Sequence, residues 1–398
     1  MRANTGTSKS SMRNVFLLGL VSFFTDISTE MVYPLVPLYL TAVFGATPAL
    51  IGVIEGIAES LASLLKVYSG YISDRFQKKK AIAFVGYSTG LVYKIVLLVA
   101  GSWGGVLFAR IIDRFGKGIR TAPRDVLVSE STDANSLGKA YGLHKALDMA
   151  GSALGILITY FLLKAGFSNY NNLFLISIIP ALLGLCMFFF IQEKKTEPKQ
   201  ITHPQLWKNI KGLDGQLKLY LLVVLVFTLG NSSNAFLILK AKAIGFDDIS
   251  AILLYFAYNS TASVLSFPLG KLSDKIGRKI LLVSGYMVFS LVYLGFALVG
   301  DKPFMMMLFV LYGVYTAMIA GVERAFVAEI APAELKGTML GLQSTVAGIA
   351  LLPASVITGL LWNAFGMVVP FVFGSLMSFI AALILMVFMG KKTANDKT

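Results

Sequence analysis

An all-α membrane protein with twelve spanning helices in two similar six-helix halves is the fold class this sequence predicts, on three observations. Of its 398 residues 56% are hydrophobic and only 14% are charged, and the mean hydropathy is +0.74, far from the usage of soluble domains. The apolar residues gather in runs of about 20 or more, the length that crosses a bilayer. One charged turn also occurs twice, as Gly70-Tyr-Ile-Ser-Asp74-Arg75 and as Gly270-Lys-Leu-Ser-Asp274-Lys275, 200 residues apart, each time between two apolar runs. Arg124 and Arg324 stand at the same offset. Such self-similarity is the mark of a duplicated bundle.

Taken in order, helices are expected near 14–43, 48–70, 80–101, 103–125, 138–166 and 171–191, then near 218–243, 248–270, 279–300, 302–328, 337–364 and 367–390. Pro34 and Pro37, following Tyr33, should bend the first helix toward its outer end. Pro123 is a place where the regular fourth helix can end. The segment 192–217 holds Pro198 and Pro204, then Leu206, Trp207, Ile210, Leu213 and Leu217 at helical spacing with Lys208 and Lys211 between them. It reads as a linker carrying a short interfacial helix. The domains expected are therefore an N-terminal bundle over 1–191, a cytoplasmic linker over 192–217 and a C-terminal bundle over 218–398.

The 35 Lys+Arg against 21 Asp+Glu raise the question of a polyanionic partner, and where the cations lie answers it. Arg2, Lys9 and Arg13 precede the first helix, and Arg75, Lys78 to Lys80, Lys194 to Lys218, Lys271 to Lys279, Lys391, Lys392 and Lys397 follow even-numbered helices. The opposite turns hold only Lys164, Lys240, Lys242 and Lys302. By the positive-inside rule both termini are cytoplasmic, and the basic balance reports topology rather than nucleic acid. The lipid bilayer is the expected partner, in the plasma membrane, or the inner membrane of a bacterium. One cysteine, Cys186, and two histidines, His144 and His203, make a Cys/His metal site implausible, and no GxxxxGK[ST] loop occurs. No cofactor is expected. Energy for any transport must come from a gradient.

The repeated G-x-x-S-D-[RK] turn, after the second and eighth of twelve helices, resembles that of the major facilitator superfamily over nearly the whole chain. The resemblance implies the fold of that family, a non-enzymatic secondary transporter, and a monomer. It implies a cytoplasmic gate at Gly70, Asp74, Arg75, Gly270, Asp274 and Lys275, with Arg124 and Arg324 at the same membrane face. A carboxylate there would meet the unpaired N–H groups of a neighbouring helix end, near Gly337 for Asp74 and near Gly138 for Asp274. Gln77 stands where the family often has glycine. Arg110, Gly116 and Gly118 resemble a second family motif whose arginine is tied to proton coupling, although Asp113 and Arg114 depart from it. Gly142, Gly151 and Gly155 resemble the start of an antiporter motif, with Ile156 where that motif has proline. Small residues at such spacing also serve simply as helix-packing surfaces.

Ionised groups at mid-bilayer cost about 2.5–3.5 kcal/mol each on insertion scales, yet the first half holds many. They are Asp26, Glu30, Glu55, Glu59 and Lys66, then Lys94, Arg110, Asp113, Arg114 and Lys117. In the second half Glu323 and Arg324, near the inner end of the tenth helix, stand almost alone. At a rise of ~1.5 Å per residue, Asp26 lies level with Arg114 and Glu30 with Arg110. Proton coupling is therefore expected at Asp26, Glu30, Arg110, Arg114 and Asp113; permanent ion pairs holding the bundle together are the alternative. Arg110, Arg114, Lys117, Arg120 and Arg124 form a basic stripe suited to an anion. Tyr33 and, in the second half, Asn231, Asn234, Tyr258, Asn259 and Tyr312 are the neutral polar groups expected to contact substrate with Arg110, Arg114 and Lys117.

The function these features point to is proton-coupled transport of a polar, anionic small molecule, such as a carboxylate metabolite or a carboxylate chelate of a metal. Proton-driven efflux of lipophilic or cationic compounds is the alternative, with Asp26 and Glu30 as counter-charges. A membrane sensor or scaffold that transports nothing is the alternative of another class.

Overall fold

One proline and one glycine shape the first hairpin. In this computed structural model, which describes residues 5–76, 78–132, 137–193, 215–319, 321–331 and 336–388, the first expected helix divides at Pro34 into α1 (Thr5–Val32) and α2 (Leu35–Phe44). Proline at 34 withholds an amide hydrogen and breaks the helical ladder. Gly45, at φ 61°, closes α2 in a conformation costly for any residue with a Cβ. There follow α3 (Pro48–Phe76), α4 (Lys79–Leu98), α5 (Trp103–Glu130), α6 (Leu137–Lys164) and α7 (Tyr170–Phe188).

The second half repeats the pattern with two interruptions. The seventh expected span is α8 (Gly215–Gly230) and α9 (Ala235–Ala243), broken at the polar run Asn231 to Asn234; the tenth is α12 (Lys302–Ile319) and α13 (Val322–Ile330). Between and after them come α10 (Asp248–Ile276), α11 (Arg278–Leu298), α14 (Lys336–Phe365) and α15 (Val369–Phe388). Every one of the twelve expected spans thus has its helix or helix pair, among the described residues.

Eleven of these are long and apolar enough to cross a membrane by composition alone; α5, the fourth span, is the exception. Its 28 residues suffice, but Arg110, Asp113, Arg114, Lys117, Arg120, Arg124, Asp125 and Glu130 dilute its hydropathy. The helix also runs straight through Pro123 to Glu130, so the stop expected at Pro123 does not occur; two further turns continue beyond it.

By contacts the described chain forms two compact units. The first comprises Met1–Thr47, Ile57–His203 and Gly245–Phe256; the second comprises Pro48–Gly56, Pro204–Ile244 and Ala257–Thr398. The opening turns of α3 therefore pack with the second set of helices and those of α10 with the first. In the first unit Val15, Leu18 and Val21 of α1 meet Ala83 and Tyr87 of α4, Leu127 and Val128 of α5 and Phe188 of α7 in a buried cluster. Asn14 pins its edge, donating to Ser131 Oγ at 2.5 Å and accepting from the Gln192 amide at 3.0 Å. The second unit is cored by rings, with Phe289 stacked 3.9 Å from Tyr293 and Phe227 4.2 Å from Tyr286. Phe108, Ile179, Phe267 and Leu298 are more than half exposed, as a surface facing lipid permits. The linker helix expected within 192–217 lies outside the described residues for the most part, 194–214.

Candidate functional site

The site in the first unit is built on α5. Ser102 caps that helix, its side chain accepting from the Gly105 amide at 3.3 Å, and the next two turns bring Arg110, Asp113 and Arg114 into the interior with exposures of 1%, 5% and 2%. Buried charges of this kind persist only when paired. Arg114 Nη2 lies 2.8 Å from Glu59 Oε1 of α3, and Arg110 Nη2 lies 3.9 Å from the same oxygen. Asp113 Oδ2 stands 3.7 Å from Arg110 Nη1 and 3.8 Å from Arg114 Nε. The Tyr33 ring lies beneath both guanidinium groups, 5.2 Å from that of Arg110 and 5.4 Å from that of Arg114, close enough for cation–π attraction.

This corrects the pairing read from depth. Asp26 is not the ion-pair partner of Arg114, nor Glu30 of Arg110; Glu59 and Asp113 take those places. Equal depth fixes height along the bundle but not the direction a side chain leaves its helix, and α3 presents Glu59 to the guanidinium groups. Asp113 serves as their fixed counter-charge.

Asp26 and Glu30 make no ion pair within 4.0 Å among the described residues. Glu30 Oε2 accepts a long hydrogen bond from Tyr255 Oη, 3.5 Å, where Tyr255 belongs to the part of α10 packed in the same unit. Asp148 of α6, a charged neighbour of Asp26, pairs with Lys145 at 2.6 Å. Sequence reasoning passed over Asp148, although its place one turn before Gly151 on a close-packed helix was a usable signal. Lys94 of α4 is wholly buried, with no hydrogen-bond partner for its ammonium. Lys117 is exposed and unpaired among the described residues. Farther down α5, Arg120 sits over the Tyr87 ring at 4.5 Å and Arg124 pairs with Asp125 at 2.8 Å. The basic stripe is real, but Lys117 is its least encumbered member.

In the second unit the expected amides and phenols do converge. Asn234 donates to Tyr258 Oη at 3.2 Å and accepts from Tyr312 Oη at 2.9 Å, while Asn231 donates to Tyr315 Oη at 3.0 Å. Asn231 and Asn234 lie in the break between α8 and α9, while the tyrosines come from α10 and α12. Asn259, one residue past Tyr258 on α10, is half-buried. Ser233 donates to Glu55 Oε2 at 3.2 Å, since the opening turns of α3 lie in this unit.

Of the two charged turns, the side chains of 66–77, with Gly70, Asp74 and Arg75, lie outside the described residues, as do those near Gly138 and Gly337. In the other copy Gly270 and Lys275 lie at the end of α10, and Asp274 is paired with Arg278 at 3.2 Å. Arg278 reaches Glu329 as well, at 3.0 Å. Arg324 is exposed, whereas its neighbour Glu323 turns inward and accepts from Tyr286 Oη at 3.0 Å.

Two six-helix sets, repeated with the same charged turn and carrying buried charge in one set and polar rings in the other, define a multi-span membrane transporter rather than an enzyme. The chain matches the Major Facilitator Superfamily over residues 18–239 and 219–398, and it belongs to that family. An uncharacterised MFS-type transporter of Methanocaldococcus jannaschii is 37% identical over 97% of both chains. The multidrug resistance protein MdtG of Dickeya zeae is 23% identical over 68% of this chain and 69% of its own. Among solved structures, the nucleoside transporter NupG superposes with a TM-score of 0.77 at 12% identity, covering 95% of this chain and 100% of that one. A D-xylose–proton symporter does so with a TM-score of 0.74 at 19% identity, covering 94% and 97%. At such identities the likeness is one of fold.

Proposed function

We propose that the protein is a proton-coupled secondary transporter of a polar, anionic small molecule, in which residues 1–191 and 218–398 move as two bodies in alternating access. One observation carries the reading. Arg110 and Arg114 have fixed partners in Glu59 and Asp113, while Asp26 and Glu30, among the described residues, have cations nearby but no ion pair of their own. A carboxyl held so can exchange a proton with little rearrangement of the bundle, because its charge is not what holds two helices together. Lys117, exposed between Arg114 and Arg120 and without an ion pair among the described residues, is a cation that can meet an anionic substrate, and Arg110 and Arg114 extend its reach over Tyr33. Asn231, Asn234, Tyr258, Asn259 and Tyr312 supply neutral polar contacts. The two charged turns serve as the cytoplasmic gate, and the site of action is the cell membrane.

A second reading, proton-driven efflux of lipophilic or cationic compounds, draws on the same geometry. Arg110 and Arg114 are already met by acids, which leaves Asp26 and Glu30 as counter-charges for a cation, and the multidrug resistance named for the distant relative MdtG points that way. Purified protein in liposomes separates the two. With an imposed pH gradient, accumulation from a pool of organic carboxylates supports the first; accumulation of lipophilic cations with no uptake of carboxylates replaces it with the second.

A further inference from the structure

One cation of the second unit is placed unlike its neighbour. Lys240 and Lys242 both stand in the last turn of α9, yet Lys242 is exposed and Lys240 is 0% exposed. A lysine this close to a helix end ordinarily runs its stem out to water. Lys240 turns inward instead, and among the described residues its ammonium meets neither a hydrogen-bond acceptor nor a carboxylate. The acids near this end of the helix are engaged elsewhere. Asp247 accepts from the Ser250 amide at 3.2 Å, Asp248 from Tyr170 Oη at 2.9 Å, and Asp301, just before α12, from the Phe304 amide at 2.8 Å.

What the ammonium meets is rings. Lys240 Nζ lies 5.8 Å from the centre of the Phe371 ring, within cation–π reach. Phe236, one turn before Lys240 on the same face of α9, packs on Trp362 at 6.1 Å, and Phe371 packs on Trp362 at 5.9 Å. Tyr293 closes on Phe371 at 5.5 Å. The planes of Trp362 and Tyr293 stand at 62° and 61° to that of Phe371. An aromatic ring is negative on its face and positive at its edge, so rings turned in this way offer faces to a cation and edges to an anion. The run of rings continues from Tyr293 to Tyr312 at 6.2 Å, and Tyr312 Oη donates to Asn234 at 2.9 Å. It thereby links the ammonium to the neutral polar cluster described above.

A desolvated ammonium is strongly unfavourable unless an anion meets it, and no described side chain supplies one here. We infer that Lys240 is the cation of a monoanion site in the second unit, which takes a halide ion or the carboxylate group of a small molecule between the ammonium and the ring edges. One ammonium balances one negative charge, so the site prefers a monoanion to sulfate. This goes beyond the coupling reading and does not need it, because binding at equilibrium requires no gradient.

Trp362 makes the test optical. The chain has three tryptophans, at 103, 207 and 362, so full-length protein carrying Trp103→Phe and Trp207→Phe, purified in lipid, reports from Trp362 alone. It is titrated with sodium iodide at constant ionic strength, with sodium sulfate as the balancing salt. Iodide held beside Lys240 should quench the fluorescence to a plateau, and chloride should relieve the quench where sulfate does not. Relief by acetate as well assigns the site to carboxylate groups, whereas relief by chloride alone assigns it to free halide; either supports the monoanion site. Quenching that rises linearly with iodide and is relieved by neither overturns it, and that result needs no change at Lys240. Lys240→Met keeps the side chain's reach and removes its charge, so it should fold and lose the plateau. A plateau that survives in Lys240→Met places the anion elsewhere and overturns the inference.

Discussion

Replacing Arg114 by Met is the sharpest probe of which charges in this bundle are structural. The side chain is 2% exposed and its guanidinium is held by Glu59 at 2.8 Å, with Glu59 itself 27% exposed. Removing one partner of a buried pair costs about 3–5 kcal/mol. The low end applies here, because Glu59 keeps Arg110 at 3.9 Å and some access to solvent. Loss of the Tyr33 contact adds about 0.5–1 kcal/mol, for a total near 3–4 kcal/mol. At about 2–4 °C per kcal/mol for units of this size, the midpoint should fall by roughly 6–16 °C. Glu59→Gln should cost less, about 1–3 kcal/mol, since Arg114 retains Asp113 at 3.8 Å and the amide oxygen still accepts a hydrogen bond. Arg114→Met with Glu59→Met should recover about 1–3 kcal/mol of the summed loss, the signature of coupled neighbours. The assay is thermal unfolding followed by intrinsic fluorescence in one detergent at one scan rate. A midpoint in Arg114→Met within about 2 °C of wild type, or strict additivity in the double variant, would refute the assignment of this pair as a structural tie.

Other consequences are open to direct measurement. Cysteines introduced as Lys195→Cys and Gly300→Cys in a Cys186→Ala background should label only from the cytoplasm and only from outside, respectively; the reverse would overturn the orientation. Asp274→Asn should slow transport while changing stability by less than about 1 kcal/mol, because its pair with Arg278 is exposed; an unchanged transport rate in this variant and in Asp74→Asn would leave the turns with a topogenic role only. Gly155→Leu should destabilise by about 1–3 kcal/mol through overpacking of α1 on α6, whereas Gly90→Ala, with nothing within 4 Å of the added carbon, should be neutral or slightly stabilising. Equal melting of the two glycine variants would contradict the backbone contact.

How much of this was legible in the sequence varies with the physics involved. Spans were legible because the bilayer sets one length for all of them, and even the charged α5 was recoverable from its place between two turns. Fold class was legible from the repeated turn, which survives where bulk identity between the halves does not. Partners were not. Depth along a helix follows from counting, but rotation about its axis depends on how neighbouring helices pack, so Glu59 displaced Asp26 as the partner of Arg114. The close approach of α6 to α1 was hidden for a related reason: Gly151 and Gly155 resemble plain packing residues until the opposing backbone is seen. The polar cluster at Asn234, Tyr258 and Tyr312 was anticipated residue by residue. The break between α8 and α9 that aims Asn234 needed the structure.

The central claim is that Asp26 and Glu30 couple proton to substrate while Arg114 and Glu59 hold the bundle. Its most direct test compares pH-gradient-driven accumulation with counterflow exchange, in liposomes carrying wild type, Asp26→Asn or Glu30→Gln and a pool of organic carboxylates. Exchange need not release the proton, so each variant should lose accumulation and keep measurable exchange. Accumulation retained at wild-type levels in both variants would contradict the account and place Asp26 and Glu30 among the structural charges.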